Sequence, residues 1–332
     1  MSLEALIGSQ LVLGIPGTEA APDVIAAFRE TQAQSLILFT RNHDSPEQVI
    51  ALVHDLNEAL GRRLLVMVDH EGGRIMRFPH WEAITHFPDA LTMGRTQGEE
   101  QVERQGRTEA EELRQLGIHV NLAPCVDVLV EGSDAVIGDR SYGSDPELVT
   151  RLSLARIRGL QSGHVAACAK HFPGLGAVPR DPHKVLPTIT LDWTALEEIH
   201  LVPFQRVMEA GVATVMSSHV CYPGLGEPDG WPATFSPKLI RGLLRDRFGY
   251  EGLVLTDALE MGALRQFGTI GEAAVRAAEA GHDMFLICCP ELDAGREAAK
   301  TLRRAYESGR LPQAELEASA SRVERLRVKF VA

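Results

Sequence analysis

The sequence predicts a (β/α)8 barrel of the TIM type, built as a single domain over residues 1–332 with an extra helix at the C-terminal end. Three observations lead there. Short apolar runs of strand length alternate eight times with amphipathic, helix-length segments, and near-continuous apolarity is what a parallel strand covered on both faces requires. The 332 residues suit such a barrel, which routinely exceeds about 250 residues as one domain. Polar residues gather after the runs, at the strand ends where barrel enzymes carry their loops. An open doubly wound sheet is the alternative, but no G-x-G-x-x-G opens a helix after the first run, and no Pro/Gly/Ser linker divides the chain.

The runs, in order, are Gln10–Ile15, Ser35–Phe39, Leu64–Val68, His119–Leu122, Val165–Ala169, Val212–Met216, Gly252–Leu255 and Asp283–Ile287. A helix is expected near Pro22–Thr31 after the first. Ser45 caps the next, Pro46 occupies its first position, Val49, Leu52, Val53, Leu56 and Leu60 recur at helical spacing, and Gly61 closes it. Glu99–Leu116 reads as a charged-faced helix ending at Gly117. Asp145-Pro146 repeats the start signal, with Leu148, Leu152, Ala155 and Leu160 behind it. Further helices are expected at Trp193–Ala210, Ser236–Arg247, Gly271–Ala280 and Leu292–Ser308. A last one, Gln313–Val328, reads as an appendage on the barrel.

Composition narrows the class. A chain 45% hydrophobic and 23% charged is an ordinary globular protein. A net charge of -12 without any basic block argues against nucleic acid and against an anionic membrane surface. The five cysteines are odd in number and show no C-x-x-C spacing, so they read as buried thiols. Met1–Leu13 carries Glu4 and no basic segment, unlike a secretory leader. No apolar run approaches the ~20 residues of a membrane span, and the expectation is a soluble, cytoplasmic protein of unspecified oligomeric state.

The polar residues after the runs are Thr40-Arg41-Asn42, Asp69-His70-Glu71-Gly72-Gly73-Arg74, Asn121 with Asp127, Lys170-His171, Ser217-Ser218-His219 and Thr256-Asp257. One acid at a strand end can be only a helix cap, and Lys170-His171 alone can be a buried ion pair. A barrel gains no stability from collecting all of them at one rim, so the set reads as a pocket for a polar ligand. His43, His54 and His86 lack such context and read as surface residues.

At Lys170 the chain reads KHFPGLG, then AVPR, Asp181-Pro182-His183 and KVLP. This resembles the signature K-H-F-P-G-H-G-D-T-x-x-D-S-H-x-x-L-P of the β-N-acetylhexosaminidases of glycoside hydrolase family 3. VDHEGGRIMRF from Val68 is similar to the family's V-D-Q-E-G-G-R-V-x-R. NLAPCVDV at Asn121, IGDRSYGSDP at Ile137, MSSHVCYP at Met216 and LTDALEM at Leu255 match further blocks in the same order. The resemblance implies a retaining, exo-acting hydrolase that removes terminal β-linked N-acetylglucosamine, from a muropeptide or chitooligosaccharide, in peptidoglycan turnover. It implies Asp257 as nucleophile, His183 as general acid/base paired with Asp181, and Asp69, Arg140, Lys170, His171 and His219 around the terminal sugar. It calls for no metal and no cofactor.

The chemistry agrees. Glycosidic cleavage needs a proton donor for the leaving oxygen and a carboxylate for the developing cation. A histidine, with an unperturbed pKa near ~6.5, can donate at neutral pH. Pro182 biases Asp181 toward extended backbone, where side chains two apart face the same way. The Pro- and Gly-rich segment from Phe172 to Pro187 is expected to be a surface loop that closes over the sugar. Leu175, Ala177 and Pro182 stand where the family has His, Asp and Ser, and His70 replaces Gln; these departures put loop geometry and rate in question. Other readings remain open: β-glucosidase-like or phosphorolytic activity, a metal-dependent hydrolase using His70, His171, His183 and Asp257, or a catalytically impaired sugar-binding barrel.

Overall fold

The computed structural model describes residues 1–78, 81–130, 136–178 and 186–331. Eight parallel strands close into a barrel: β1 (Leu11–Leu13), β2 (Ser35–Leu38), β3 (Leu65–Val68), β4 (Val120–Asn121), β5 (Ala166–Phe172), β6 (Thr214–Ser217), β7 (Leu253–Ala258) and β8 (Met284–Ile287). Each pairs with its sequence neighbour, and β8 pairs with β1 through Leu11 opposite Phe285 and Val12 opposite Leu286. All eight runs read from the sequence become barrel strands.

Alternation along the strands splits the apolar residues into two cores. Val12, Ile37, Leu65, Met67, Val120, Cys168, Met216, Leu255 and Leu286 fill the interior. Leu13, Leu36, Leu38, Val66, Val68, Ala167, Val215, Val254 and Phe285 face the surrounding helices. That is why the runs are apolar at every position rather than at every second one.

Most helices begin and end where the sequence signals them. The Ser45 hydroxyl accepts from the Gln48 N–H at 3.2 Å, and Gly61 ends Pro46–Leu60 at φ 63°. Asp145 caps Pro146–Ser162, and Thr269 with Glu272 forms a capping box at Ile270–Ala280. Two elements differ in winding: Leu196–His200 is a π-turn between Trp193–Ala195 and Leu201–Glu209, and Lys238–Arg247 is π-helical. Two short helices escape the sequence reading, Leu3–Ser9 and Ala90–Thr96, because seven residues give too few turns for a period to emerge.

The last helix, Gln313–Phe330, is no appendage. Its Val323, Leu326 and Phe330 join the barrel-interior cluster. It seals the mouth at the N-terminal ends of the strands. Asp283, just ahead of β8, is buried there and accepts from Ser319 at 2.9 Å, Arg322 at 3.0 Å, Arg245 at 2.5 Å and the Val254 N–H at 2.8 Å. One end of the barrel is thus plugged and hydrogen-bonded, and the other is left for loops.

Candidate active site

A cleft of about 470 Å³ opens at the C-terminal strand ends, and Asp69, Glu71, Arg140, Lys170, His171 and Asp257 all line it. Four stretches of backbone deliver them. Asp69 directly follows β3. Glu71 sits in a hairpin, His70–Gly72 against Ile75–Met76, which turns at Gly72 (φ 106°) and Gly73 (φ 54°). A Cβ on Gly72 would lie 2.6 Å from the Pro88 carbonyl, so only glycine fits that turn. Arg140 ends a short 3-10 turn, Gly138–Arg140. Lys170 and His171 are consecutive on β5, joined by a cis peptide, and both face the cleft. Asp257 is carried near the end of β7.

One wall is a continuous charge network. The Lys170 ammonium donates to Asp69 at 2.7 Å and lies 2.6 Å from Glu71 Oε1. Arg140 grips Glu71 with both Nε (2.8 Å) and a terminal nitrogen (2.7 Å), the two-pronged geometry a guanidinium is built for. Arg77 donates to the other Asp69 oxygen at 3.1 Å. The same Arg140 terminal nitrogen is 3.2 Å from His171 Nε2, and His171 Nδ1 is 2.7 Å from Asp127.

Burial and pairing compete throughout the network. Burial pushes the Asp69 and Glu71 carboxyls up, yet Lys170 with Arg77, and Arg140 with Lys170, hold both below the usual carboxylate range. Burial likewise opposes the Lys170 charge, and Asp69 and Glu71 hold its ammonium above the ordinary lysine value. Asp127 stays low against its own burial because of His171. Asp69, Glu71 and Lys170 are therefore held ionised at neutral pH beside Arg140 and present fixed donors and acceptors, as hydroxyl recognition requires.

Asp257 differs. Its Oδ1 accepts the Ala258 N–H at 2.8 Å, and among the described residues its carboxylate has no ion-pair partner. It faces the same cleft as the network without being neutralised by it. Three residues on, Glu260 also lines the cleft. Its Oε2 accepts the Cys288 N–H at 3.1 Å, and burial pushes its carboxyl up.

His219 is buried behind the cleft wall, its ring 2.9 Å from the Ala258 carbonyl and 2.6 Å from the Thr234 hydroxyl. It buttresses the backbone next to Asp257. Asp181, Pro182 and His183 lie outside the described residues, so the acid/base pair and its closing motion are not addressed by the geometry. The start of that segment departs from the expected surface loop: Phe172–Gly176 is buried. Asp127 accepts the Leu175 N–H at 2.5 Å, Tyr222 donates to the Gly174 carbonyl at 2.9 Å, and a Cβ on Gly176 would lie 1.8 Å from the Val128 carbonyl. Leu175 packs in the main apolar cluster and Ala177 against it, which is how apolar side chains come to replace polar ones there.

His70 is buried beside Phe78 with ring centroids 5.9 Å apart, its Nδ1 has no partner among the described residues, and it is not among the residues lining the cleft. Burial pushes its imidazole down to about 3. The set His70, His171 and Asp257 is therefore not assembled around one point. His43 is half-buried against Phe78 and Trp81, whereas His54 and His86 are exposed.

Glu71 and Asp127 were placed at the rim by the sequence without a role, and Arg77, which donates to Asp69, was given none. Glu71 stands two residues after Asp69, a spacing that puts both acids on one face, and that signal was available. Asp127 was placed at the rim after the fourth run, but its pairing with His171, 44 residues away, was not legible.

The N-terminal domain model of glycosyl hydrolase family 3 matches residues 9–326. The beta-hexosaminidase of Thiobacillus denitrificans is 37% identical over 289 residues, covering 85% of this chain and 79% of that protein. The beta-hexosaminidase of Neisseria gonorrhoeae is 38% identical over 281 residues, covering 80% and 76%. Among solved structures, a family 3 beta-N-acetylglucosaminidase from a Paenibacillus species superposes with a TM-score of 0.95 at 36% identity, covering all of this chain and 63% of that one. This chain thus spans less than two thirds of the Paenibacillus protein. A beta-N-acetylhexosaminidase from Beutenbergia cavernae gives a TM-score of 0.89 at 26% identity, covering 98% of each chain.

Proposed function

This chain belongs to glycosyl hydrolase family 3, and from that premise we propose that it is a retaining, exo-acting β-N-acetylhexosaminidase working as a single catalytic domain. The observation that carries the reading is the Asp257 carboxylate, without an ion-pair partner among the described residues, sharing a cleft with the ionised wall of Asp69, Glu71, Lys170 and Arg140. A glycosidase needs a carboxylate free to meet the anomeric carbon and a rigid polar wall to hold the sugar's hydroxyls. Both are supported here by separate strands of one barrel end.

In the proposed sequence, Asp69, Lys170, Arg140 and His171 hold the terminal sugar and His219 steadies the strand end beside the nucleophile. Asp257 attacks C1, the C1–O bond to the aglycone breaks, and His183, oriented by Asp181, supplies the proton to the departing oxygen. Water, deprotonated by the same histidine, then displaces Asp257. The names of the relatives favour a terminal N-acetylhexosamine as the sugar. Cytoplasmic peptidoglycan fragments, muropeptides above all, are the substrate we assign, with chitooligosaccharides as the other N-acetylglucosamine source.

The test compares an aryl β-N-acetylglucosaminide with the matching β-glucoside, using wild type and Asp257→Ala. Turnover of the first, little of the second, and loss of both in the variant is the expected result. Preference for the glucoside, or full activity in Asp257→Ala, contradicts the proposal.

A further inference from the structure

We propose that Asp127 is a positioning residue that sets the ring tautomer of His171 and anchors the segment leading to the acid/base loop. The inference deepens the glycosidase reading above, and its functional half rests on that reading.

Asp127 lies outside the cleft lining and is fully buried, yet its carboxylate accepts four hydrogen bonds. Oδ2 takes the His171 backbone N–H at 3.0 Å, approaches the His171 ring Nδ1 at 2.7 Å and takes the Cys125 thiol at 3.1 Å. Oδ1 takes the Leu175 N–H at 2.5 Å. A carboxylate can only accept here, so His171 Nδ1 must carry the proton. Nε2 faces Arg140 at 3.2 Å, and because a guanidinium can only donate, Nε2 must offer a lone pair rather than a proton. The two contacts agree on one tautomer, Nδ1–H, and each would fail in the other. The chain from Asp127 through His171 to Arg140 and Glu71 is thus polarised in one direction, and a buried acid outside the cleft fixes which face His171 shows inside it.

The second contact acts along the backbone. Lys170 and His171 end on the sugar side of β5, and only three residues separate His171 from Leu175. Bonding both N–H groups to one rigid carboxylate fixes the turn by which the chain leaves the strand toward Asp181 and His183. The Asp127 backbone is held as well, its carbonyl taking the Ser141 hydroxyl at 2.6 Å.

Asp127→Asn separates this role from mere packing, since it preserves size and replaces one acceptor oxygen with a donor. Either the Leu175 N–H or the His171 pair must then face an amide NH2. The experiment reads the His171 ring by long-range 1H–15N correlation NMR, with the His171 signal assigned by its disappearance in His171→Gln, alongside kcat/KM for an aryl β-N-acetylglucosaminide. The wild type should show the Nδ1–H form. Asp127→Asn should move the ring toward Nε2–H and lower kcat/KM by roughly 10²-fold, the scale of an ångström-sized misplacement of catalytic groups. A wild-type ring protonated on Nε2 overturns the proposal without any variant. So does Asp127→Asn with kcat/KM within about twofold of wild type, far short of the misplacement scale. A wild type inactive on every N-acetylhexosaminide would instead sink the glycosidase reading, leaving the tautomer assignment to stand or fall on the spectrum.

Discussion

Glu71→Gln tests whether the charged wall is held together by its central acid. In the native protein Glu71 is buried and serves three cationic contacts, two from Arg140 and one from Lys170. Glutamine keeps the shape but removes the charge, and it turns one acceptor into a donor facing either guanidinium or ammonium. Lys170 and Arg77 would then share Asp69, and Arg140 would have no carboxylate partner among the described residues. Removing one partner from a buried ion pair costs about 3–5 kcal/mol, because the remaining charge is stranded. With 332 residues, an unfolding entropy of about 2.1 cal/mol/K per residue makes the melting entropy ~0.7 kcal/mol/K, so Tm should fall by roughly 4–7 °C. The control is Arg74→Gln, which breaks an equally short contact (2.7 Å to Asp139) that is half exposed; pairs of that kind are worth about 0–1 kcal/mol. Differential scanning calorimetry of both variants at pH 7, with kcat/KM measured alongside, decides the matter. Because the Glu71 carboxyl is depressed in the fold, its stabilisation is complete above the unfolded value near 4.5 and is lost only as pH falls through the lower folded value. The gap between wild type and Glu71→Gln should therefore stay constant from pH 6 to 8. Equal Tm for Glu71→Gln and wild type, with activity intact, would refute the reasoning.

Other outcomes follow from the same geometry. Burial depresses His70 and His282 to about 3 and His119 to about 4. The unfolded chain therefore binds protons that the fold does not, and stability should fall as pH drops below about 6.5, by up to ~1.4 kcal/mol per histidine per pH unit; a Tm–pH curve flat between 6.5 and 4.5 would contradict this. Glu260 is pushed up by burial, so its ionisation costs stability as pH rises past its unfolded value. Glu260→Gln should melt at or above the wild-type temperature at pH 7 and retain turnover within about tenfold, whereas Asp257→Asn should lose at least ~10³-fold, as expected for a covalent nucleophile. Activity lost equally in the two would transfer the nucleophile's role into doubt. Gly176→Ala should lower both Tm and kcat, because its Cβ would meet the Val128 carbonyl at 1.8 Å; overpacking of that kind costs about 1–3 kcal/mol, and an unchanged Tm would show that the segment yields freely.

The barrel was legible because its strands are buried on both faces, which writes each as an unbroken apolar run, as in Leu65–Val68 and Met284–Ile287. Helix starts at Ser45-Pro46 and Asp145-Pro146 were legible because capping is a local interaction. The C-terminal helix was misjudged as an appendage. Val323, Leu326 and Phe330 look like any amphipathic face, and only closure of the barrel gives them an interior to plug. In the cleft, Asp69, Lys170, Arg140, His171 and Asp257 carried signal by position after a run or by motif. Asp127 carried the same positional signal, but its role did not show, because that depends on His171 and Leu175 arriving from a neighbouring strand end. The burial of Phe172–Gly176 was hidden for the same reason: glycine and proline suggest an exposed loop, and the groups that bury it come from elsewhere in the chain.

The most direct measurement is to trap the reaction halfway. Incubation with a 5-fluoro glycosyl donor bearing a 2-acetamido group, followed by intact-mass and peptide mass spectrometry, asks which carboxylate bonds to C1. One added glycosyl unit, located on Asp257, is expected, and none in Asp257→Ala. A label on Glu260 or Asp69, or steady turnover through a species that never carries a sugar, would contradict it.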